Sequence, residues 1–186
     1  LPAVIILSSF RLTVFDKSFY AGEYVRYNVY RELDKKLVDE NTGKLIEYLS
    51  GNSALDTSFF NEREKLHLSD VKLLINKVLG LFYTLAAASL LLIAALFYKK
   101  KHNHLGKAAI FAGSITILLL VVIALVFSTS FSNVFLNFHL ISFNNDLWML
   151  NPATDNLIVM FPEGFFYDIS LRMMIIAGMI SVAIIG

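Results

Sequence analysis

Two long apolar runs without a single charge constrain this chain more than any other feature. They cover residues 78–98 and 108–127. At about 1.5 Å per residue in a helix, each can cross the hydrocarbon core of a bilayer, which is about 30 Å thick. A chain of 186 residues is too short to wrap two such helices inside a soluble domain. Both runs are therefore predicted to be transmembrane helices.

Two shorter apolar segments lie at the ends of the chain. Residues 1–10 are interpreted as the end of a first transmembrane helix, and residues 171–186 as a truncated fourth helix. An interfacial helix remains an alternative for the last segment, because so short an apolar run is ambiguous. The predicted fold class is an all-α membrane protein, a four-transmembrane-helix bundle with two extracytoplasmic, partly helical segments.

The charges of the connecting segments predict the orientation of the chain in the membrane. Residues 99–107 are rich in lysine and contain no acid, whereas residues 128–170 contain acids but no lysine or arginine. Basic residues in short loops stay in the cytoplasm. The lysine loop is therefore predicted to be cytoplasmic, and residues 11–77 and 128–170 extracytoplasmic. The expected location is the cell membrane, with several spans.

The first extracytoplasmic segment carries helical patterns. Tyr20, Tyr24 and Tyr27 recur at helical spacing, which favours a packed or interfacial face over a binding site. The sequence around Gly43 predicts a turn, followed by a short helix over residues 45–49. Asn61 and, three residues later, Glu64 precede the next span, and this spacing predicts a helix that begins with a capping box.

The second extracytoplasmic segment is unusually aromatic. The apolar stripe within residues 131–138 has the spacing of one helix face and suits the membrane interface. Trp148 is predicted to be an interfacial anchor, because tryptophan is enriched at the headgroup level of membranes.

Several classes of function are poorly supported by the composition and motifs. The chain has no cysteine, which excludes thiolate nucleophiles and thiolate metal sites. It has no Gly-x-Ser-x-Gly elbow, no His-Glu-x-x-His motif and no glycine-rich phosphate loop. The two long apolar runs contain no ionisable residue, which argues against an ion pump or channel. A net charge of +1 gives no sign of a nucleic-acid partner.

The four histidines differ in what their positions imply. His102 and His104 lie in the lysine loop and are interpreted as parts of a hydrophilic connector. His67 and His139 each lie shortly outside a predicted span, on the same predicted side of the membrane. A histidine pair near one membrane surface is suited to acid–base catalysis near neutral pH. His67 and His139 are therefore the candidate catalytic residues.

Polar residues near these two histidines are supporting candidates. Glu64 and Asp70 lie three residues before and three residues after His67, so either carboxylate is expected to fix its tautomer and raise its pKa. The amides that follow His139 are candidates for oxyanion donors. The supporting residues downstream of His139 are Asn144, Asn145 and Asp146.

Two segments carry a resemblance to a known family. They read FNEREKLHLSDVK, residues 60–72, and FHLISFNNDLWMLNPATDNLIVMFPEGFF, residues 138–166. Both look like the signature regions of a family of four-helix bacterial membrane proteins that includes the lipoprotein intramolecular transacylases. The order of segments is also similar, with the two signatures flanking two spans and a basic loop. The resemblance covers essentially the whole chain.

The resemblance implies a substrate, a reaction and two essential residues. The implied partners are membrane lipids and bacterial lipoproteins whose N-terminal cysteine carries a diacylglyceryl thioether. The implied reaction moves the sn-2 acyl chain from the glycerol to the α-amine of the cysteine and gives a lyso-form N-acylated lipoprotein. The two essential histidines of the family fall, by motif position, on His67 and His139. An amide forms from an ester without an energy source, so no cofactor and no metal are expected.

Two other hypotheses stay open on the sequence. The first is a metal-dependent membrane hydrolase in which His67, His139 and Asp70 bind the metal, since histidine and aspartate are common ligands. The second is a non-catalytic protein that binds lipid or lipoprotein, for which neither histidine matters.

Overall fold

The computed structural model describes residues 1–186, which form helices joined by short loops. The helices are α1 (Pro2–Val14), α2 (Lys17–Arg26), α3 (Val29–Glu32), α4 (Lys35–Leu49), α5 (Glu62–Tyr98), α6 (His102–Ser142), α7 (Asn156–Met160) and α8 (Glu163–Ile185). The chain divides into two compact units. The first, here called the apolar unit, contains Leu1–Thr13, Lys77–Phe131 and Ser170–Gly186. The second, the polar unit, contains Val14–Asn76 and Ser132–Ile169.

Helices α5, α6 and α8 are long and apolar enough to cross a membrane, and α1 is a shorter apolar helix. Large apolar side chains along α5 and α6, such as Leu91 and Leu118, are largely exposed. So large an exposed apolar surface would be unfavourable in water. It is not unfavourable against lipid tails, which are as apolar as leucine. The exposed surface of the apolar unit therefore fits a bilayer.

Small residues allow close helix contacts inside the apolar unit. A Cβ atom on Gly113 in α6 would lie 2.6 Å from the Ile185 side chain and 2.9 Å from the Ser181 carbonyl oxygen of α8. The hydroxyls of Thr116 and Ser181 are fully buried, and each donates to a carbonyl oxygen one turn back in its own helix. These contacts match the small-residue packing that transmembrane helices use where lipid provides no hydrophobic drive.

Tyr20 and Tyr24, two of the three tyrosines at helical spacing, lie in the core of the polar unit, as the packing interpretation predicted. Tyr20 is 4% exposed and Tyr24 is 1% exposed. The Tyr20 hydroxyl donates to the Val14 carbonyl at 2.7 Å, and the Tyr24 hydroxyl shares a 2.8 Å hydrogen bond with Thr42. Both phenols thus bury their rings and satisfy their polar ends.

The predicted turn around Gly43 is wrong, because α4 runs without a break from Lys35 to Leu49. The polar side chains that suggested a turn bond back to the helix, Asn41 to the Leu37 carbonyl and Thr42 to the Val38 carbonyl, each at 2.8 Å. Both residues are buried, at 3% and 5% exposure. Tertiary packing therefore overrides the weak helix propensity of this segment.

The predicted capping box at the start of α5 is confirmed. The backbone N–H of Asn61 donates to the Glu64 carboxylate at 2.6 Å, and the backbone N–H of Glu64 donates to the side-chain oxygen of Asn61 at 3.0 Å. Two of the free N–H groups at a helix N-terminus are satisfied in this way. The helix that carries His67 consequently has a fixed starting point.

A break in regular geometry interrupts α6 at Ser130, where φ is −169° and ψ is 96°. The residues after this break, from Ser132 onward, belong to the polar unit. They carry His139, so the second histidine lies on a separate helical segment of α6.

Candidate active site

The two candidate histidines lie together in the polar unit. His67 on α5 and His139 on α6 have ring centroids 6.3 Å apart and ring planes inclined by 31°. His67 is 7% exposed and His139 is 9% exposed. His67 and His139 are 72 positions apart in the sequence. In the folded chain they form one buried imidazole pair.

Glu64 does not serve His67 as a hydrogen-bond partner. One of its carboxylate oxygens accepts from the backbone N–H of Asn61, and the other accepts from the backbone N–H of Leu157 at 2.6 Å. The side chain is 1% exposed, and burial raises its pKa while the backbone N–H groups of Leu157 and Asn61 oppose the increase. Glu64 thus holds the start of α5 against the start of α7, and positions His67 only through the helix.

The sequence predicted a raised pKa for His67, and this prediction is wrong. Burial and, to a smaller extent, the neighbouring His139 lower the pKa of His67 to about 4, and Asp70 opposes the decrease. Asp70 does favour the imidazolium, as expected, but desolvation of the charged ring outweighs it. The Nδ1 atom of His67 is buried without a hydrogen-bond partner. His67 is therefore a neutral imidazole at physiological pH.

His139 has a defined tautomer. Its Nδ1 lies 2.8 Å from the carbonyl oxygen of Phe135, one turn earlier in the same helix. A carbonyl oxygen only accepts, so Nδ1 carries the proton and, in the neutral ring, Nε2 carries the lone pair. This arrangement leaves Nε2 of His139 able to accept a proton.

Aromatic rings surround the histidine pair. Phe143 contacts both imidazoles, with centroids 5.1 Å from His67 and 5.8 Å from His139. The Trp148 ring lies 4.9 Å from His139 and is inclined to it by 35°. Phe135 and Phe138 pack edge-on against His139. Such a shell excludes water and strengthens electrostatic interactions inside it.

A loop over residues 144–150 is fastened to α5 beside the histidines. Asn145 donates to the Asp70 carboxylate at 2.9 Å, and Trp148 donates its indole N–H to the Asn145 carbonyl at 2.9 Å. Arg63 donates to the Asp146 carbonyl and lies 3.9 Å from the Asp146 carboxylate. The loop that carries Trp148 against His139 is thus attached to the same helix as His67.

The predicted supporting residues have separate positions and contacts. Asp70, Asn145 and Asp146 take part in the loop attachment, Glu64 lies at the helix start, and Asn144 is exposed. The sequence interpretation did not identify Arg63 or Trp148 as neighbours of the site. The signal for Arg63 was present, because it lies four residues before His67 on the same helix face. The contact of Trp148 with His139 depends on a loop conformation that no local pattern specifies.

The ligand set of the metal hypothesis is not assembled. No group of three or more histidine, aspartate, glutamate or cysteine side chains in the chain could hold a metal ion. The Asp70 carboxylate is instead bonded to Asn145. In the apolar unit, His102 packs edge-on against Phe97, with centroids 5.1 Å apart.

Fold and site together define a class, an all-helical integral membrane protein with a buried histidine pair suited to proton transfer. The model of the family described as lipoprotein intramolecular transacylase Lit matches residues 1–166. The chain belongs to this family of integral, multi-pass membrane acyltransferases. No curated protein matches the sequence at a significant level.

Solved structures of one family member have the same fold. The structure of the membrane integral lipoprotein intramolecular transacylase Lit from Bacillus cereus is 25% identical, with a TM-score of 0.85 over 98% of this chain and 86% of that chain. Two structures of the Bacillus cereus protein with a histidine replaced, by arginine or by alanine, each have a TM-score of 0.82 at 23% identity. They cover 98% of this chain and 83% or 84% of the other.

Proposed function

We propose that this enzyme moves the sn-2 acyl chain of a diacylglyceryl-modified lipoprotein onto the α-amine of the same N-terminal cysteine. The product is an N-acylated lyso-form lipoprotein. The observation that carries the proposal is the buried imidazole pair, with its two ring centroids 6.3 Å apart. Family membership supports a lipoprotein substrate.

The reaction needs one group that accepts a proton and one that donates a proton. An α-amine has a pKa near 7.7–8.0 and reacts only when neutral. Its lone pair forms the new N–C bond, and the carbonyl π electrons move onto oxygen. The adduct then loses a proton from nitrogen and expels the glyceryl oxygen, which must be protonated as it leaves. General acid–base catalysis of this kind contributes about 10²–10⁴-fold.

The environments of the two imidazoles support different roles. His139 acts as the base, because its Nδ1–H is bonded to the Phe135 carbonyl and its Nε2 lone pair is available. His67, whose pKa of about 4 keeps it neutral, donates its N–H proton to the leaving glyceryl oxygen while its other ring nitrogen takes a proton from His139, so that no imidazolate forms. Return of the proton from His139 to His67 restores both neutral rings, so no reactant besides the substrate is consumed.

The aromatic shell supports transfer over hydrolysis. Water competes with the amine for the same ester carbonyl, and rings packed around His139 and His67 lower its access. The amine and the ester belong to one molecule, so a well-oriented pair reaches a high effective molarity. Acyl transfer therefore does not require an acyl-enzyme intermediate.

The orientation of the chain is part of the same proposal. Four spans, with residues 99–107 in the cytoplasm and the polar unit outside, follow from the lysine loop. The chain has no cysteine, so a single introduced cysteine is a unique label. Asn144→Cys should react with an impermeant maleimide on intact cells and Asn103→Cys should not. The reverse pattern would contradict this orientation.

Mass spectrometry of a synthetic diacylglyceryl lipopeptide, incubated with the purified enzyme in nanodiscs, tests the reaction. We expect a product of unchanged mass in which the N-terminal fragment carries the acyl group. His67→Ala and His139→Ala should each lower the rate by at least about 10²-fold, and the double variant should be hardly slower than either.

His104→Ala is the matched control, because His104 lies in the lysine loop and is exposed. It should retain the full rate. Release of free fatty acid by the wild-type enzyme, in place of the N-acyl product, would support a hydrolase instead. An unchanged rate in both single histidine variants would support a binding protein.

A further inference from the structure

The reaction proposed above develops a negative charge on the ester carbonyl oxygen, and a donor is needed at that atom. Donors aimed at a developing oxyanion commonly contribute more than any other single group. The amides suggested by the sequence do not fit this role well. Asn145 is bonded to Asp70 through its amide nitrogen and to Leu147 N–H through its oxygen, and Asn144 is exposed.

Arg63 lies on the same face of α5 as His67. The two residues are four positions apart, and side chains at this spacing are neighbours on a helix, with Cβ atoms about 5–6 Å apart. Arg63 is therefore the cationic side chain one helical turn before His67, in the same polar unit.

The guanidinium of Arg63 is only partly used. One terminal nitrogen donates to the Asp146 carbonyl and lies 3.9 Å from the Asp146 carboxylate. The Nε atom is buried and has no hydrogen-bond partner. A buried donor without a partner is uncommon in folded proteins and calls for a functional explanation.

The second unpartnered nitrogen on this helix belongs to His67. Its Nδ1 is also buried without a hydrogen-bond partner. The chain thus has two unsatisfied buried nitrogen atoms one turn apart on one helix face. A substrate with two adjacent acceptor oxygens on one ester group, the carbonyl oxygen and the glyceryl oxygen, matches these two nitrogens when Nδ1 of His67 carries the ring proton.

We propose that Arg63 is a further catalytic residue, whose Nε–H donates to the carbonyl oxygen of the transferred acyl ester. Attack by the amine moves the carbonyl π electrons onto this oxygen, and Arg63 stabilises the resulting charge. When the adduct collapses, the electrons return, the C–O bond to glycerol breaks, and the glyceryl oxygen takes its proton from His67. Arg63 keeps its proton throughout, since guanidinium does not deprotonate in proteins.

Attachment to Asp146 serves this role by limiting the motion of the side chain. An oxyanion donor acts best when it is fixed before the reaction begins. The contacts with Asp146 hold one terminal nitrogen of the guanidinium and leave Nε without a hydrogen-bond partner. Lysine cannot replace this arrangement, because its single ammonium group has no second fixed donor.

The inference rests on the proposed function, and a sulfur substitution separates the two. The probe is the diacylglyceryl lipopeptide with its sn-2 ester carbonyl oxygen replaced by sulfur, compared with the ordinary oxygen ester. Sulfur is the weaker acceptor, so wild-type enzyme should transfer the sulfur analogue at least about 10-fold more slowly. Arg63→Lys should lower kcat on the oxygen ester by about 10²–10³-fold, and its oxygen-to-sulfur rate ratio should fall towards one.

Control variants distinguish catalysis from loop attachment. Arg63→Met, with no N–H group, gives a second measurement of the same ratio if Arg63→Lys does not fold. Asp146→Asn should lower the rate less than Arg63→Lys and keep the wild-type ratio. Lys65→Gln removes a cation that pairs with Glu62 at 3.0 Å on the same helix, and it should keep both the rate and the ratio.

The outcomes are separable. If Arg63→Lys and Arg63→Met keep the wild-type oxygen-to-sulfur ratio, Arg63 does not contact the reacting oxygen, while the transacylase function stands. If wild-type enzyme transfers neither ester, the proposed function is overturned, and this inference with it.

Discussion

At the scale of single residues, His67 shows that burial can outweigh a nearby carboxylate. Asp70 favours the protonated ring, yet the pKa of His67 decreases to about 4, first because of desolvation and then because of His139. Since the folded-state pKa lies below the ordinary value of 6.5, protonation favours the unfolded chain. The contribution of neutral His67 to stability is present above pH 6.5 and is lost as the pH falls towards 4.

Burial of His67 predicts a low midpoint for the titration of its ring. In an NMR titration of histidine-labelled protein in nanodiscs, the His67 ring signal should have its midpoint near pH 4. Asp70→Asn should lower this midpoint, because it removes the neighbouring negative charge. His139→Gln should raise it, because it removes the neighbouring imidazole, but burial should keep it below 6.5.

A His67 midpoint near 6.5 in the wild-type protein would contradict the buried, neutral ring. His67→Gln identifies the signal by its disappearance.

At the scale of helices, local sequence patterns predicted the features that depend on neighbouring residues. They failed for the features that depend on tertiary packing. The capping box at Asn61 and Glu64 was readable because both partners lie within one turn. The continuity of α4 through Gly43 was not readable, because Tyr24 and the core around Thr42 hold α4 together from outside its own sequence. The second bond of Glu64, to Leu157, joins residues 93 positions apart, and no spacing rule anticipates it.

Close packing of α6 against α8 predicts a contrast between two glycines. Gly113→Ala should destabilise the apolar unit, because the added methyl group would lie 2.9 Å from the Ser181 backbone oxygen, which cannot simply rotate away. Overpacking of this kind typically costs about 1–3 kcal/mol. Gly80→Ala on α5 meets nothing within 4 Å and should be neutral or stabilising by up to about 1 kcal/mol.

Thermal unfolding of both variants in the same detergent gives the comparison. A lower midpoint for Gly113→Ala beside an unchanged or higher midpoint for Gly80→Ala is the expected result. Equal midpoints would mean that α6 and α8 do not approach each other at Gly113.

At the scale of the whole molecule, the sequence predicted the membrane class and the identity of the two histidines as candidates, because apolar runs and motifs are local. It did not predict the individual contacts that the loop makes around them. The aromatic shell of Phe143 and Trp148 and the attachment through Arg63 arise from tertiary contacts of the loop with α5. The tautomer of His139 likewise depends on a hydrogen bond to Phe135 that only the folded helix segment defines.

We expect the acyl chain to move within one substrate molecule, with the histidine pair as acid and base. An isotope crossover experiment tests this expectation. Purified enzyme receives an equal mixture of two lipopeptides, one fully unlabelled and one with both a heavy peptide and a heavy sn-2 acyl chain. We expect N-acylated products that are either entirely light or entirely heavy. Products that combine a heavy acyl chain with a light peptide would contradict it.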